Sequence, residues 1–237
     1  MKKKQVKKNI ILGVLFLLPV MFVLVLSLSE DHYNPLDIVN ENVAELPENS
    51  HGIVLKDHIT VLAFLGKQPM DLAIAASNLK ELVYDKFKGF KKFQIVVLVP
   101  KGAEAESEAL FKEIARYEDL RFWHFVHADE QAIQKTFNSL KAAFSLSDNL
   151  ATDNVFIIDT ELKQRGRLDD RTDNEKADSK PVYGLDAYNC IQVAVIKNKM
   201  SSEDLRVLFT EYRQKRKGNF DTETRRANDL KPVNNEQ

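Results

Sequence analysis

Cys190 is the only cysteine in the 237 residues. A single thiol excludes a disulfide framework, a CxxC redox pair and a multi-thiolate zinc site within one chain. It opens the apolar run 190–196 (CIQVAVI), where a lone cysteine ordinarily serves as a small core hydrophobe. His124 and His127 fall in an apolar, strand-like stretch. A spacing of three puts them on opposite faces of a strand, which makes them poor joint metal ligands. Asp159 closes another apolar run, and is either a base or, more commonly, the cap of the turn that follows. Asp169 and Asp170 are a candidate cation pair, without the further carboxylates and glycine of a calcium loop. His51 and His58, with His32 before them, read as solvated. The loop 66–71 (GKQPMD) has one glycine and no Gly-Lys-Ser/Thr, so it is neither a Walker loop nor a dinucleotide fingerprint. No GxSxG nucleophile elbow occurs anywhere in the chain.

These residues depend on regular elements for their placement. Residues 59–65 (ITVLAFL) form a short continuous apolar run, as a strand buried on both faces does. The break at 66–69 leads to a helix that Asp71 is placed to cap, with Ile74, Leu79, Leu82, Val83 and Phe87 at helical spacing. The unit then repeats: strand 93–99, helix 104–117, strand 120–126, helix 129–144, strand 154–158 and a hairpin partner around Gly166. Residues 170–181 are nearly all polar and read as an exposed loop. The run 190–196 reads as one more strand. Ser201 and Asp204 make a capping-box-like start to a last helix, with Leu205, Leu208, Phe209 and Tyr212 as its buried stripe and Gly218 as its end. Strands alternating with helices predict an α/β three-layer sandwich over 51–218 with a mainly parallel central sheet and an antiparallel edge.

The charge is distributed unevenly. A formal net charge of −1 hides five lysines within residues 2–8 and 19 uncharged residues from 10 to 28. At 1.5 Å per residue that run makes a helix of about 28 Å, close to a bilayer's hydrocarbon thickness. A basic leading flank and the acids Glu30 and Asp31 behind it predict an N-terminus in the cytoplasm and an exported remainder. The run exceeds the apolar stretch of a cleavable signal, so an uncleaved single-pass signal anchor is the expectation, with cleavage near Ser27 the alternative. Residues 1–9 are then a cytoplasmic stub, 29–50 a linker and 219–237 a disordered tail. The basic stretch 213–217 and the tail segment 221–231 are candidates for contact with lipid or a partner, with solvated surface and plain disorder the blander readings. The near-zero balance excludes a general nucleic-acid binder.

In element order the exported part resembles the thioredoxin superfamily, and most closely its membrane-anchored Sco/SenC branch, the copper chaperones of cytochrome oxidase. Two stretches carry the likeness: 59–66, a core strand running into a glycine, and 155–166 (VFIIDTELKQRG), a strand ending in Asp followed by a turn with Gly. The resemblance implies a CxxxC between about Pro69 and Ala75, a copper-binding His before the strand that ends in Asp, and a cis-proline near it. Residues 69–75 contain no cysteine, and 145–154 contain neither His nor Pro. The expectation is a degenerate member that has lost its chemistry, with no catalytic, cofactor or metal residue. Its working surface is expected at Lys67, Gln68, Pro69, Met70 and Asp71, the ancestral active-site edge. The resemblance implies a binding or scaffolding role at the periplasmic side of the cytoplasmic membrane, with a membrane-protein partner and a place in oxidase assembly. Two alternatives stand beside it: a metal binder or enzyme whose histidines and carboxylates converge only in the fold, and an accessory subunit of a membrane complex.

Overall fold

The structure, a computed structural model, describes residues 2–28, 35–116 and 118–216. The chain separates into two units, 1–34 and 35–237. The first consists of one helix, α1 (Lys2–Leu28), which continues through Pro19. Its described side chains, apart from Lys7, run only from 11 to 25 and are almost all exposed. Among the described residues no helix is long and apolar enough to cross a membrane.

The second unit begins with β1 (Asp37–Asn40) and β2 (Ile59–Phe64). A helix follows in four contiguous pieces: a 3₁₀ turn at Pro69–Leu72, α2 (Ala73–Leu79), a wide π-type stretch at Lys80–Tyr84 and α3 (Asp85–Phe87). Next come β3 (Phe93–Pro100), α4 (Glu104–Ala115), β4 (Trp123–Ala128) and α5 (Glu130–Asn138). The chain continues through β5 (Asn154–Ile158), β6 (Gln164–Gly166), α6 (Asp173–Ala177) and β7 (Tyr188–Asn189). A second wide helical stretch, Val195–Asp204, leads into α7 (Leu205–Arg216).

The sheet runs β1-β6-β5-β2-β3-β4, with β7 beside β5. It is mixed, where the alternation of strands and helices predicts a mainly parallel one. β2, β3 and β4 are parallel neighbours, but β5 runs antiparallel to β2, β6 and β7, and β6 antiparallel to β1. The long connection 139–153 takes the chain from β4 back across the sheet to the far side of β2. There it enters reversed, and the short turn into β6 can only join antiparallel strands.

Each face of the sheet carries its own core. Val61, Ala63, Ile95, Val97 and Ile157 pack under α2, α4 and α7. Leu62, Phe64, Val96, Leu98 and Phe156 pack under α5 and the loops flanking it. α2 and α4 share a face because successive right-handed crossovers in one direction along a sheet stay on the same side. α5 lies opposite because the chain then reverses across the sheet.

Further expectations differ from the fold, and the loop expected over 170–181 contains α6. The run 190–196 is not a strand: Tyr188–Asn189 pairs with β5, and the Asn189 side chain then accepts from the N–H groups of Ile191 and Gln192 and starts a helix. A continuous apolar run cannot distinguish a buried strand from a helix, and here Ile191 and Val193 are exposed. Neither Asp71 nor Ser201 caps a helix. Pro69 opens the helix after β2, where its missing N–H costs nothing, and Ser201 lies buried inside the helix that leads to α7. The second half of the segment expected as a linker belongs to the sheet: β1 pairs with β6, and Leu36, Val43 and Leu46 are buried. Residues 29–34, with His32, and residues 217–237 lie outside the described residues.

Candidate functional site

The loop that follows β2 takes its shape from a glycine. Gly66 has φ +69°, and a Cβ there would meet the Asn149 carbonyl oxygen at 2.3 Å and the Ala151 Cβ at 2.8 Å. Only a residue without a side chain accepts both the left-handed backbone and the contact. Leu65 bridges Ala151, the Thr152 N–H donates to Phe64 O at 3.0 Å, and the Lys67 N–H donates to Asn149 O at 3.0 Å. The loop 66–68 is therefore bound to the strand that enters β5.

From that clamp the expected surface residues take separate positions. Pro69 is buried as the first helical residue, whereas Lys67, Gln68, Met70 and Asp71 are exposed. The Lys67 ammonium reaches Glu130 at 2.6 Å, a surface pair worth under about 1 kcal/mol. One turn beyond Met70, Ile74 is 70% exposed on the same side of the helix. Asn78, the next turn on, donates its side-chain amide to Cys190 O at 2.9 Å and so fastens the 189–193 turn to α2. Met70, Ile74, Ile191 and Val193 are the exposed apolar residues of these two joined segments. The sequence reading named Met70 and missed the other three. Ile74 was grouped with the apolar residues of the helix but lies off the face of Leu79 and Val83, and 191 and 193 were read into a strand.

Cys190 is buried in the core beneath the α2 and α7 face, and burial pushes its thiol far above the ordinary range. A thiol held neutral and covered is a poor nucleophile.

His124 and His127 lie on opposite faces of β4, as their spacing predicts. His127 Nε2 approaches Ser107 Oγ of α4 at 3.4 Å. His124 points to the other face, where burial first, then His58 and His51, hold its imidazole below the usual value. Among the described residues no group of three or more His, Cys, Asp or Glu is arranged to hold a metal.

Asp159 caps its turn, with one carboxylate oxygen accepting from the N–H groups of Glu161 (2.8 Å) and Lys163 (3.0 Å). Its other oxygen accepts from Arg165 Nη1 at 3.0 Å. Arg165 also donates to Leu36 O at 2.8 Å and Glu211 Oε2 at 2.5 Å, and the Leu36 N–H donates to Glu211 Oε1 at 2.8 Å. Asp169 and Asp170 are occupied by the chain's own cations. Asp169 binds Arg171, and Asp170 accepts from Arg167 and Lys199. Arg167 further makes a forked contact with Asp204, whose other partner is the buried Tyr188 hydroxyl at 2.6 Å. Burial outweighs these partners and raises the Asp204 carboxyl above its ordinary value. Lys215 in the basic end of α7 pairs with Glu161 at 3.1 Å.

A strand, a helix, a parallel strand, and then an antiparallel hairpin set beside the first strand and closed by a helix make a thioredoxin-like α/β fold. No family model matches the chain, and no curated protein matches it. Among solved structures it is similar to the soluble domain of Sco1 from Bacillus subtilis, at 14% identity over 71% of this chain and 91% of that one, with a TM-score of 0.39. It is similar to BsSco, a member of the Sco family of cytochrome c oxidase assembly proteins, at 13% identity over 73% and 97%, TM-score 0.42. A thiol:disulfide interchange protein from Bacteroides sp. is 16% identical over 54% and 79%, TM-score 0.37.

Proposed function

We propose that this chain is a single-pass protein of the cytoplasmic membrane whose exported thioredoxin-like domain binds a membrane-protein partner without exchanging thiols. One observation carries the reading: residues 69–75, where the resemblance places a CxxxC, contain no cysteine, and the loop before them exposes Lys67, Gln68, Met70 and Asp71 around the buried Pro69. The sole thiol, Cys190, lies buried in the core. Anchoring is supported by the lysines within 2–8 and the uncharged run 10–28, which lie on one continuous helix. Cytochrome oxidase assembly is the process we assign to it, on the likeness of layout to the Sco proteins.

The test is deletion of the gene in its native host, with complementation by the full chain. Loss of cytochrome oxidase activity that the wild-type chain restores, and that a chain carrying Met70→Asp and Ile74→Asp does not, is the expected result. Unchanged oxidase activity on deletion overturns the assembly role. A tight 1:1 copper site on the purified full chain, abolished by changing His124 or His127, overturns the non-catalytic reading and favours a metal binder.

A further inference from the structure

β4 is the end strand of the sheet, and no strand pairs with its outer side among the described residues. Its backbone register decides what that side presents. The Ile95 N–H donates to Phe122 O and the Lys101 N–H to Ala128 O, and between them β3 and β4 are parallel with Ile95 opposite Trp123. In a parallel ladder this turns the even-numbered residues of β4 toward β3 and the odd-numbered ones outward. The Trp123 N–H is taken by Leu120 O at 3.0 Å, which leaves Phe125 and His127 to offer N–H and C=O groups outward.

A groove of about 400 Å³ runs along this edge, lined from both faces of the strand at once. Phe125, His127 and Trp123 line it with Phe111 and Ser107 of α4, while His124, His51 and Ile53 line it from the opposite face. Trp123 is nearly wholly buried, and its indole N–H has no hydrogen-bond partner among the described residues. The wall formed by α4 is acidic: Glu104 and Glu108 line the groove, and the helix carries four glutamates against one lysine. The wall formed by His51 and Ile53 has no acid.

We propose that this groove takes an extended peptide segment of a partner protein, paired as an added strand on β4, in which basic residues alternate with apolar ones. Alternation follows from the pleat: successive side chains of an added strand point to opposite walls, one carrying Glu104 and Glu108, the other formed by Ile53 and the imidazoles of His51 and His124 with no acid. Charge decides against a second copy of this chain. Pairing two β4 edges about a two-fold axis sets α4 beside α4 and brings their glutamates together. The surface is separate from the 67–71 loop, so the proposal stands whether or not the oxidase reading does.

The test uses the full chain in detergent micelles and three fluorescent heptapeptides. One alternates lysine with valine and phenylalanine, the second has glutamate for every lysine, and the third has proline for every valine. The basic peptide is expected to bind at micromolar concentration and to slow hydrogen exchange at the Phe125 and His127 amides. Its affinity should fall at least tenfold in Glu104→Lys/Glu108→Lys, for the proline peptide, and for wild type between low and high salt. The salt series stands alone if the double variant fails to fold. Equal binding of the acidic peptide, or no binding of any, overturns the proposal. So does protection of those two amides without peptide that grows with protein concentration, which would assign the edge to a second copy.

Discussion

The two ends of β2 and its neighbours treat charge in opposite ways. At the hairpin, Arg165 is 2% exposed and answers Asp159, Glu211 and the Leu36 carbonyl, while Arg167 answers Asp170, Glu203 and Asp204. At the loop after β2, Lys67 has one exposed partner, and Met70 and Ile74 face solvent. A guanidinium held between buried carboxylates is committed to holding elements together. Apolar side chains left without cover at a rigid edge are available for something else. The difference separates what this domain needs in order to fold from what it has to offer.

Substitutions test that separation, beginning with the largest effect. Arg165→Ala leaves two carboxylates buried without their cation and is expected to cost about 3–5 kcal/mol, read from urea unfolding. A loss below about 1 kcal/mol would remove the hairpin cluster from the folding side of the comparison. Gly66→Ala forces a Cβ against the Asn149 carbonyl at a positive φ, and an expected cost of about 2 kcal/mol follows. Its amide spectrum should change over 147–152 and leave the hairpin untouched.

A smaller effect depends on pH. Hydrogen bonds from Lys163 and Lys215 hold Glu161 down to about 2, so its contribution is present above about pH 4.5 and is lost as pH falls toward 2. Because all three groups are substantially exposed, screening limits this to about 0.3 kcal/mol, and Glu161→Gln should flatten the acid limb of a stability–pH curve by that much. Asp204 acts with the opposite sign. Its raised carboxyl favours the protonated form in the folded state, so the cost of ionising it appears as pH rises from its ordinary value to its raised one. The smallest effect is expected at the open edge: Met70→Ser with Ile74→Ser should leave the unfolding midpoint unchanged within about 0.5 kcal/mol. A larger loss would mean that these side chains have cover in the folded protein.

Periodicity and punctuation exposed the strands β2, β3, β4 and β5, the helices between them and the stripe of α7, because each is set by local burial pattern. The position of β5 was not legible. Which edge a strand joins depends on a connection, 139–153, that has no regular element of its own. The helix at 193 was misread because a short apolar run does not reveal its element, and here Ile191 and Val193 face solvent. At the site, the missing thiols and the 66–71 loop were visible directly. The cluster around Arg165 was hidden, since its four hydrogen bonds join residues 36, 159, 165 and 211, which only the fold brings together. Asp159 was read as a turn cap, which it is, but half of its carboxylate belongs to that cluster.

Leu36 is hydrogen-bonded at both its N–H and its C=O, to Glu211 and Arg165, one residue before β1 begins. Seen mechanically, that clamp is a strain relief. A pull applied to residue 35 would otherwise peel β1 from β6 one hydrogen bond at a time, the weakest way to load a strand. With the clamp in series ahead of the strand, tension passes first into an ion-paired junction that joins the hairpin to α7. The whole domain then bears the load before any strand of the sheet begins to open.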